Sequence, residues 1–231
     1  MFTKEEIKQR LRDIEPENIN IAKGESLSLA FIIAGCAEFD MRQRSGEDFI
    51  QHALEVATNS IQSKNKRIIA ILHDVVEDSD WTLEDLREVG FSERIINGVD
   101  AVSMRPGEKY FDFIERCSMA GEDAIEIKIN DLKHNMDSSR YRHIEISGKH
   151  LLKTKAYNVA YHYLVDILKV RADPEADYNA PGRPVFEYMR SRDPYWKTPE
   201  VANQLLDAYS SCTERLDIGL SLQNPFRLAK Q

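Results

Sequence analysis

The chain has 231 residues, 42% hydrophobic and 30% charged, with a formal net charge of −8. It is long enough to bury a sizeable core. No run approaches the roughly 18 to 20 apolar residues of a membrane span, and the acidic balance argues against a nucleic-acid-binding surface. The cysteines, Cys36, Cys117 and Cys212, are odd in number and lack zinc spacing, which reads as reduced thiols in a cytoplasmic protein. The start, "MFTKEEIKQR", has no apolar region of a secretory signal.

Helical periodicity dominates, and strand-like runs bounded by turns are scarce, so the sequence predicts an all-α fold. Thr3 and Glu6 form a capping-box start for a first helix. A second runs from about Glu25 to Arg42 and ends at the turn "RSGED". "DFIQHALEVATNSI" and "KNKRIIAILHDVVED" supply the next two, and Thr82 with Asp85 caps a short one. Ser92 caps "ERIINGVDAVS", "RPG" at 105–107 breaks the chain, and "EKYFDFIERCSM" resumes it. "AIEIKIN" alternates like a strand, but Ile125, Ile129, Leu132 and Met136 step as on a helix, and helix is the reading adopted. A long helix then covers about Ser147 to Val170. "RADPEADYNAPGRP" is a loop, and a last helix spans roughly Pro199 to Asp217. Residues 1–170 read as one helical domain and 171–231 as a loop and helical extension packed on it.

The stretch "ILHDVVEDSDW" sets His73, Asp74, Glu77 and Asp78 directly after an apolar run. At about 100° per residue, with His73 at zero, Glu77 falls near ~40°, Asp74 near ~100° and Asp78 near ~140°. Ile68, Ile69, Leu72, Val75 and Val76 take the other side. Three carboxylates and an imidazole on one face are either a wet helix side or the wall of a cation site, because like charges repel unless a cation sits among them. His52, among Phe49, Leu54 and Val56, reads by itself as a core or surface histidine. Lys128, Asp131, Asn135 and Ser138 share a face that by itself is an ordinary polar one. Lys64, Lys66 and Arg67 read as a solvated helix end, Tyr110 and Phe113 as core, and His134, His143, His150 and His162 as structural.

In order, "RSGEDFIQHALEVA" (44–57), "AILHDVVEDSDWTLEDL" (70–86) and "KINDLKHNM" (128–136) resemble the HD-domain metal-dependent phosphohydrolases. Within these they are most similar to the RelA/SpoT (p)ppGpp hydrolase domain and its small stand-alone relatives. "RPGEKYFDFIERC" also looks like the small bacterial members. The likeness covers about residues 24–170 and implies an HD-type helical bundle with a C-terminal helical extension. It implies that His52, His73, Asp74 and Asp131 hold a divalent metal, typically Mn²⁺ in this family. Glu77 and Asp78 would hold or deprotonate the attacking water. Arg44, Ser45, Lys128, Asn135 and Ser138 would contact the substrate, a small nucleotide.

The implied reaction is removal of the 3′-pyrophosphate of (p)ppGpp by a metal-bound water. The alternatives are another HD-type nucleotidase or nucleoside triphosphate hydrolase, or a non-catalytic nucleotide sensor. Gln43-Arg44 stands where the family usually has Arg-Lys, Ala53 where it has Pro, and Asp137 where it has Arg. These departures touch substrate reading and spare every metal ligand. "FEYMRSRDPYW" suits a pocket cover or a subunit contact, which leaves a homo-oligomer open, with surface packing the plainer reading.

Overall fold

The computed structural model describes residues 3–13, 26–37, 45–60, 63–142 and 145–172. Arg44, His143 and the whole stretch from 173 to 231, with its expected loop and final helix, lie outside the described residues. The described chain is all-α. Its helices are α1 (Lys4–Asp13), α2 (Leu27–Ala37), α3 (Phe49–Thr58), α4 (Lys64–Leu72), α5 (Val75–Asp78), α6 (Leu83–Glu88), α7 (Glu93–Val102), α8 (Tyr110–Met119), α9 (Glu122–Met136) and α10 (Gly148–Ala172), with a 3₁₀ turn at Ser138–Tyr141. No described helix is long and apolar enough to cross a membrane.

Two helices carry the bundle. From Ile68 to Leu72 every residue of α4 is buried, and α4 packs against α2, α3, α7 and α9. A helix apolar on all sides belongs in the middle of a bundle. α9 packs against α3, α4, α7, α8 and α10, and buries Ile125, Ile129 and Leu132, as the helical spacing predicted. The core is continuous from Ile7 to Leu164. Gly98 lets α7 approach α4 closely, since a Cβ there would collide with the Ile69 side chain.

The caps follow the sequence in part. Thr3 N donates to Glu6 Oε2 at 2.8 Å while Glu6 N donates to Thr3 Oγ1 at 3.2 Å. Thr82 and Asp85 form the reciprocal box at the start of α6. Ser92 occupies the N-cap of α7, but its hydroxyl makes no capping bond, and its Oγ is buried without a partner.

One expected element is split. The sequence predicts a single helix through "KNKRIIAILHDVVED"; the structure breaks it at His73–Asp74 into α4 and α5. The backbone stays right-handed helical there, with φ −61° and ψ −34° at His73, so the polar groups keep roughly their expected bearing. The hydrogen bonds change instead. Glu77 N donates to the carbonyl of Asp74, three residues back, at 3.1 Å. The His73 carbonyl, freed from the helix, accepts from Ser103 Oγ at 2.8 Å. A side chain inserted from α7's C-terminal end thus takes a bond that a regular helix would keep.

Candidate metal centre

The four expected ligands come from three segments that meet at the middle of the bundle. α3 brings His52, the α4–α5 break brings His73 and Asp74, and α9 brings Asp131. His52, His73 and Asp131 are buried, and Asp74 is half-buried. Their donor atoms converge. His52 Nε2 lies 3.1 Å from His73 Nε2, 3.0 Å from Asp131 Oδ1 and 3.5 Å from Asp74 Oδ2. His73 Nε2 lies 3.1 Å from Asp74 Oδ1 and 3.7 Å from Asp131 Oδ1.

For ligand bonds of about 2.1 Å, adjacent donor atoms stand roughly 3.0 Å apart in an octahedron and 3.4 Å in a tetrahedron. The observed spacings fall in this range, and His52, His73 and Asp74 together form a group able to hold a metal ion.

Proton positions favour the same conclusion. His73 Nδ1 lies 2.7 Å from the Ala70 carbonyl, which can only accept, so Nδ1 carries a hydrogen and Nε2 is the nitrogen turned inward. His52 Nδ1 faces His134 Nδ1 at 2.6 Å. Burial, with the neighbouring His52 and Arg140, lowers His134 to about 4, so it stays neutral and accepts from His52 Nδ1–H. Both ligand imidazoles are thereby turned Nε2-inward. His134 was read as merely structural; its place three residues after Asp131, on the same side of α9, was the available signal.

The field of the site is acidic. Burial works to lower the His73 pKa, but Asp74 and Asp131 overcome it and hold the imidazole well above its ordinary value. Asp131 resists burial because Lys128 and the two imidazoles keep its carboxyl well below the usual range. Asp74 is lowered as well, with His73 outweighing burial. Glu77, whose Oε2 accepts from Met104 N at 2.9 Å, is pushed up by burial and by Asp74 against the opposing charge of Lys128. Burial, Asp74 and Glu77 push Asp78 up to about 7. Lys153 on α10 opposes that shift, which brings a further helix to the site.

Two expected substrate contacts are engaged inside the protein. Lys128 Nζ pairs with Asp131 Oδ2 at 2.7 Å and sits 4.8 Å above the Phe113 ring, a buried ammonium. Asn135 Nδ2 donates to Asp131 Oδ1. Ser45 Oγ donates to Glu47 Oε2 at 3.0 Å, and Ser138 is exposed at the start of the 3₁₀ turn. Arg140, which the sequence reading passed over, joins these elements. Its Nε donates to Glu47 Oε2 at 2.8 Å and its Nη1 to the His134 carbonyl at 3.0 Å.

No family model matches the chain. Over 105 residues it is 31% identical to the guanosine-3′,5′-bis(diphosphate) 3′-pyrophosphohydrolase of Vibrio cholerae, covering 44% of this chain and 15% of that protein. It is 28% identical over 149 residues to the bifunctional (p)ppGpp synthase/hydrolase SpoT of Escherichia coli K12, covering 59% and 20%. A probable GTP pyrophosphokinase of Mycobacterium leprae is 32% identical over 125 residues, covering 48% and 16%. The chain is a distant homologue of RelA/SpoT-family enzymes over these stretches, which span a fifth or less of each relative's length.

Proposed function

We propose that the chain is a cytoplasmic, divalent-metal-dependent phosphohydrolase, with Mn²⁺ as its ion, that removes pyrophosphate from the 3′ position of (p)ppGpp. One observation carries the reading. Two imidazole nitrogens and two carboxylates converge at 3.0 to 3.7 Å in a chain whose distant relatives include named (p)ppGpp 3′-pyrophosphohydrolases. His52, His73, Asp74 and Asp131 would hold the ion. When bound, it would lower the pKa of a coordinated water and polarise the phosphoryl oxygen under attack.

The chain's own residues do the rest. His134 and the Ala70 carbonyl hold the two ligand imidazoles in register, and Lys128 and Asn135 fix Asp131. Glu77 and Asp78, one turn beyond Asp74, have carboxyls raised toward neutrality, which suits a base that takes a proton from water. The water oxygen bonds to the phosphorus attached to O3′, and the P–O3′ bond breaks. The proton taken up by the carboxylate returns to O3′. The products are GDP, or GTP from the pentaphosphate, and pyrophosphate. Arg44, Ser45, Lys128, Asn135 and Ser138 would contact the nucleotide. The presence of both Glu77 and Asp78 beside the ligand set favours turnover over mere sensing.

Ion-exchange chromatography of ppGpp after incubation with Mn²⁺-loaded protein, beside a chelator-treated control, tests this. GDP and pyrophosphate should appear only with metal. Intact ppGpp alongside tightly bound manganese would end the alarmone assignment and turn the search to other nucleotides.

A further inference from the structure

Tyr110 opens α8, directly after the loop that closes one side of the metal centre. That loop is firmly held. Ser103 Oγ donates to the His73 carbonyl, Met104 N donates to Glu77 Oε2, and Arg116 donates to the carbonyls of Asp100 and Ser103 and to the Glu108 carboxylate. The tyrosine ring then packs edge-on to Phe113, centroids 6.4 Å apart, and against Tyr157 of α10 at 5.9 Å. Phe113 is the ring beneath the Lys128 ammonium that grips Asp131. Two side chains, Phe113 and Lys128, therefore link Tyr110 to the candidate ligand Asp131.

Its hydroxyl is nonetheless unused. Among the described residues three buried side-chain polar atoms have no hydrogen-bond partner: Arg67 Nε, Ser92 Oγ and Tyr110 Oη. Arg67 stands at the start of α4 and Ser92 at the start of α7. Tyr110 is the one whose charged surroundings include Asp131 and Glu77. Burial and those carboxylates hold the phenol well above its ordinary value, so the group is an O–H donor at any working pH and never a base. Buried donors without acceptors are rare in folded proteins. An unpartnered donor packed near the candidate site can be satisfied by an acceptor that arrives with the substrate, and the acceptors a phosphorylated substrate brings are non-bridging phosphoryl oxygens.

We propose that Tyr110 is a substrate-contact residue whose unpartnered hydroxyl, on the ring packed against Phe113 beneath Lys128, donates a hydrogen bond to a non-bridging oxygen of the phosphate bound at the metal centre. The contact deepens the phosphohydrolase reading and rests on it for the presence of a phosphate. It does not depend on which nucleotide carries that phosphate.

The test compares wild type with Tyr110→Phe, both Mn²⁺-loaded, in three readouts: bound manganese, melting temperature, and affinity for inorganic phosphate by titration calorimetry. The expected result is unchanged manganese, an equal or higher melting temperature from removal of an orphaned hydroxyl, and phosphate affinity weakened about tenfold. Equal phosphate affinity in the two proteins would make Tyr110 an ordinary core phenol and overturn the proposal. Failure of the wild type to bind phosphate would overturn it as well. A wild type that binds phosphate but leaves ppGpp intact removes the (p)ppGpp assignment alone, and Tyr110 is then judged by its own comparison.

Discussion

The chain builds two acidic clusters on opposite plans. At the junction of α1 and α6, Asp85 receives the ammonium groups of Lys4 and Lys8 together with the amide and hydroxyl of Thr82, while Lys8 also pairs with Glu88 at 2.9 Å. Lys4 also reaches Asp80 Oδ2 at 3.6 Å, so every carboxylate there has an ammonium group in contact and no further charge is called for. At the metal centre Asp74, Glu77, Asp78 and Asp131 gather around two imidazoles, and the ammonium groups bearing on them are those of Lys128 and Lys153. The carboxylates outnumber the ammonium groups, and His73 and Asp78 hold protons in their place that a divalent cation would displace. A balanced cluster holds helices together. An unbalanced, buried one is stable only with a proton or a metal to complete it.

The hardest way to break the contrast is Asp131→Asn. It removes a metal donor and leaves the Lys128 ammonium buried beside a neutral amide. Bound manganese and hydrolysis should both disappear, and urea unfolding should show a loss of about 3–5 kcal/mol, the scale for one partner removed from a buried pair. A variant that keeps its manganese would place the ion elsewhere. Glu77→Gln should separate metal holding from chemistry: manganese retained, turnover lower by about 10²–10⁴. Undiminished turnover would transfer the proton-accepting role to Asp78.

Much of this was legible in the sequence because it depends on local spacing. The apolar stripes of α4 and α9, and the capping boxes at Thr3 and Thr82, are patterns within a few residues, and the structure reproduces them. What was missed depends on neighbours far along the chain. The break at His73 is made by Ser103, thirty residues on. His134 had no evident partner until α3 brought His52 to within 2.6 Å. Resemblance pointed to the candidate ligands, and packing shows which neighbouring groups touch them.

The two clusters should also answer pH in opposite ways. In metal-free protein, His73 is held above the ordinary 6.5, so its stabilisation is full below that value and is lost as pH rises through its folded pKa. Asp78 titrates near 7 in the fold against 3.8 for the free side chain. The native state therefore keeps a proton that the unfolded chain has released, and stability declines between those values as pH rises. Asp85 is depressed, since Lys8 and Thr82 outweigh burial. Its contribution is complete above about 4 and lost only in acid. Melts in chelator should thus show a lower transition temperature at pH 8 than at pH 6. With Mn²⁺ present the slope should reverse, because metal ligands must be deprotonated to bind. A flat metal-free profile would mean that the excess charge is already balanced within the protein.

Thr82→Ala is the smallest break, and it sharpens the contrast from the other side. The variant removes a hydroxyl that both donates to Asp85 Oδ2 at 2.8 Å and accepts from Asp85 N at 3.1 Å. It leaves Lys4 and Lys8 in place. The loss of one N-cap should cost about 1 kcal/mol, read as a shifted denaturant midpoint with an unchanged slope. Manganese content and turnover should not move, because α6 lends no ligand to the metal centre. A fall in metal affinity would tie the balanced cluster to the unbalanced one. The physical route for such a tie is the run from Asp74 through α5 to Asp80, whose carbonyl Lys4 holds at 2.8 Å.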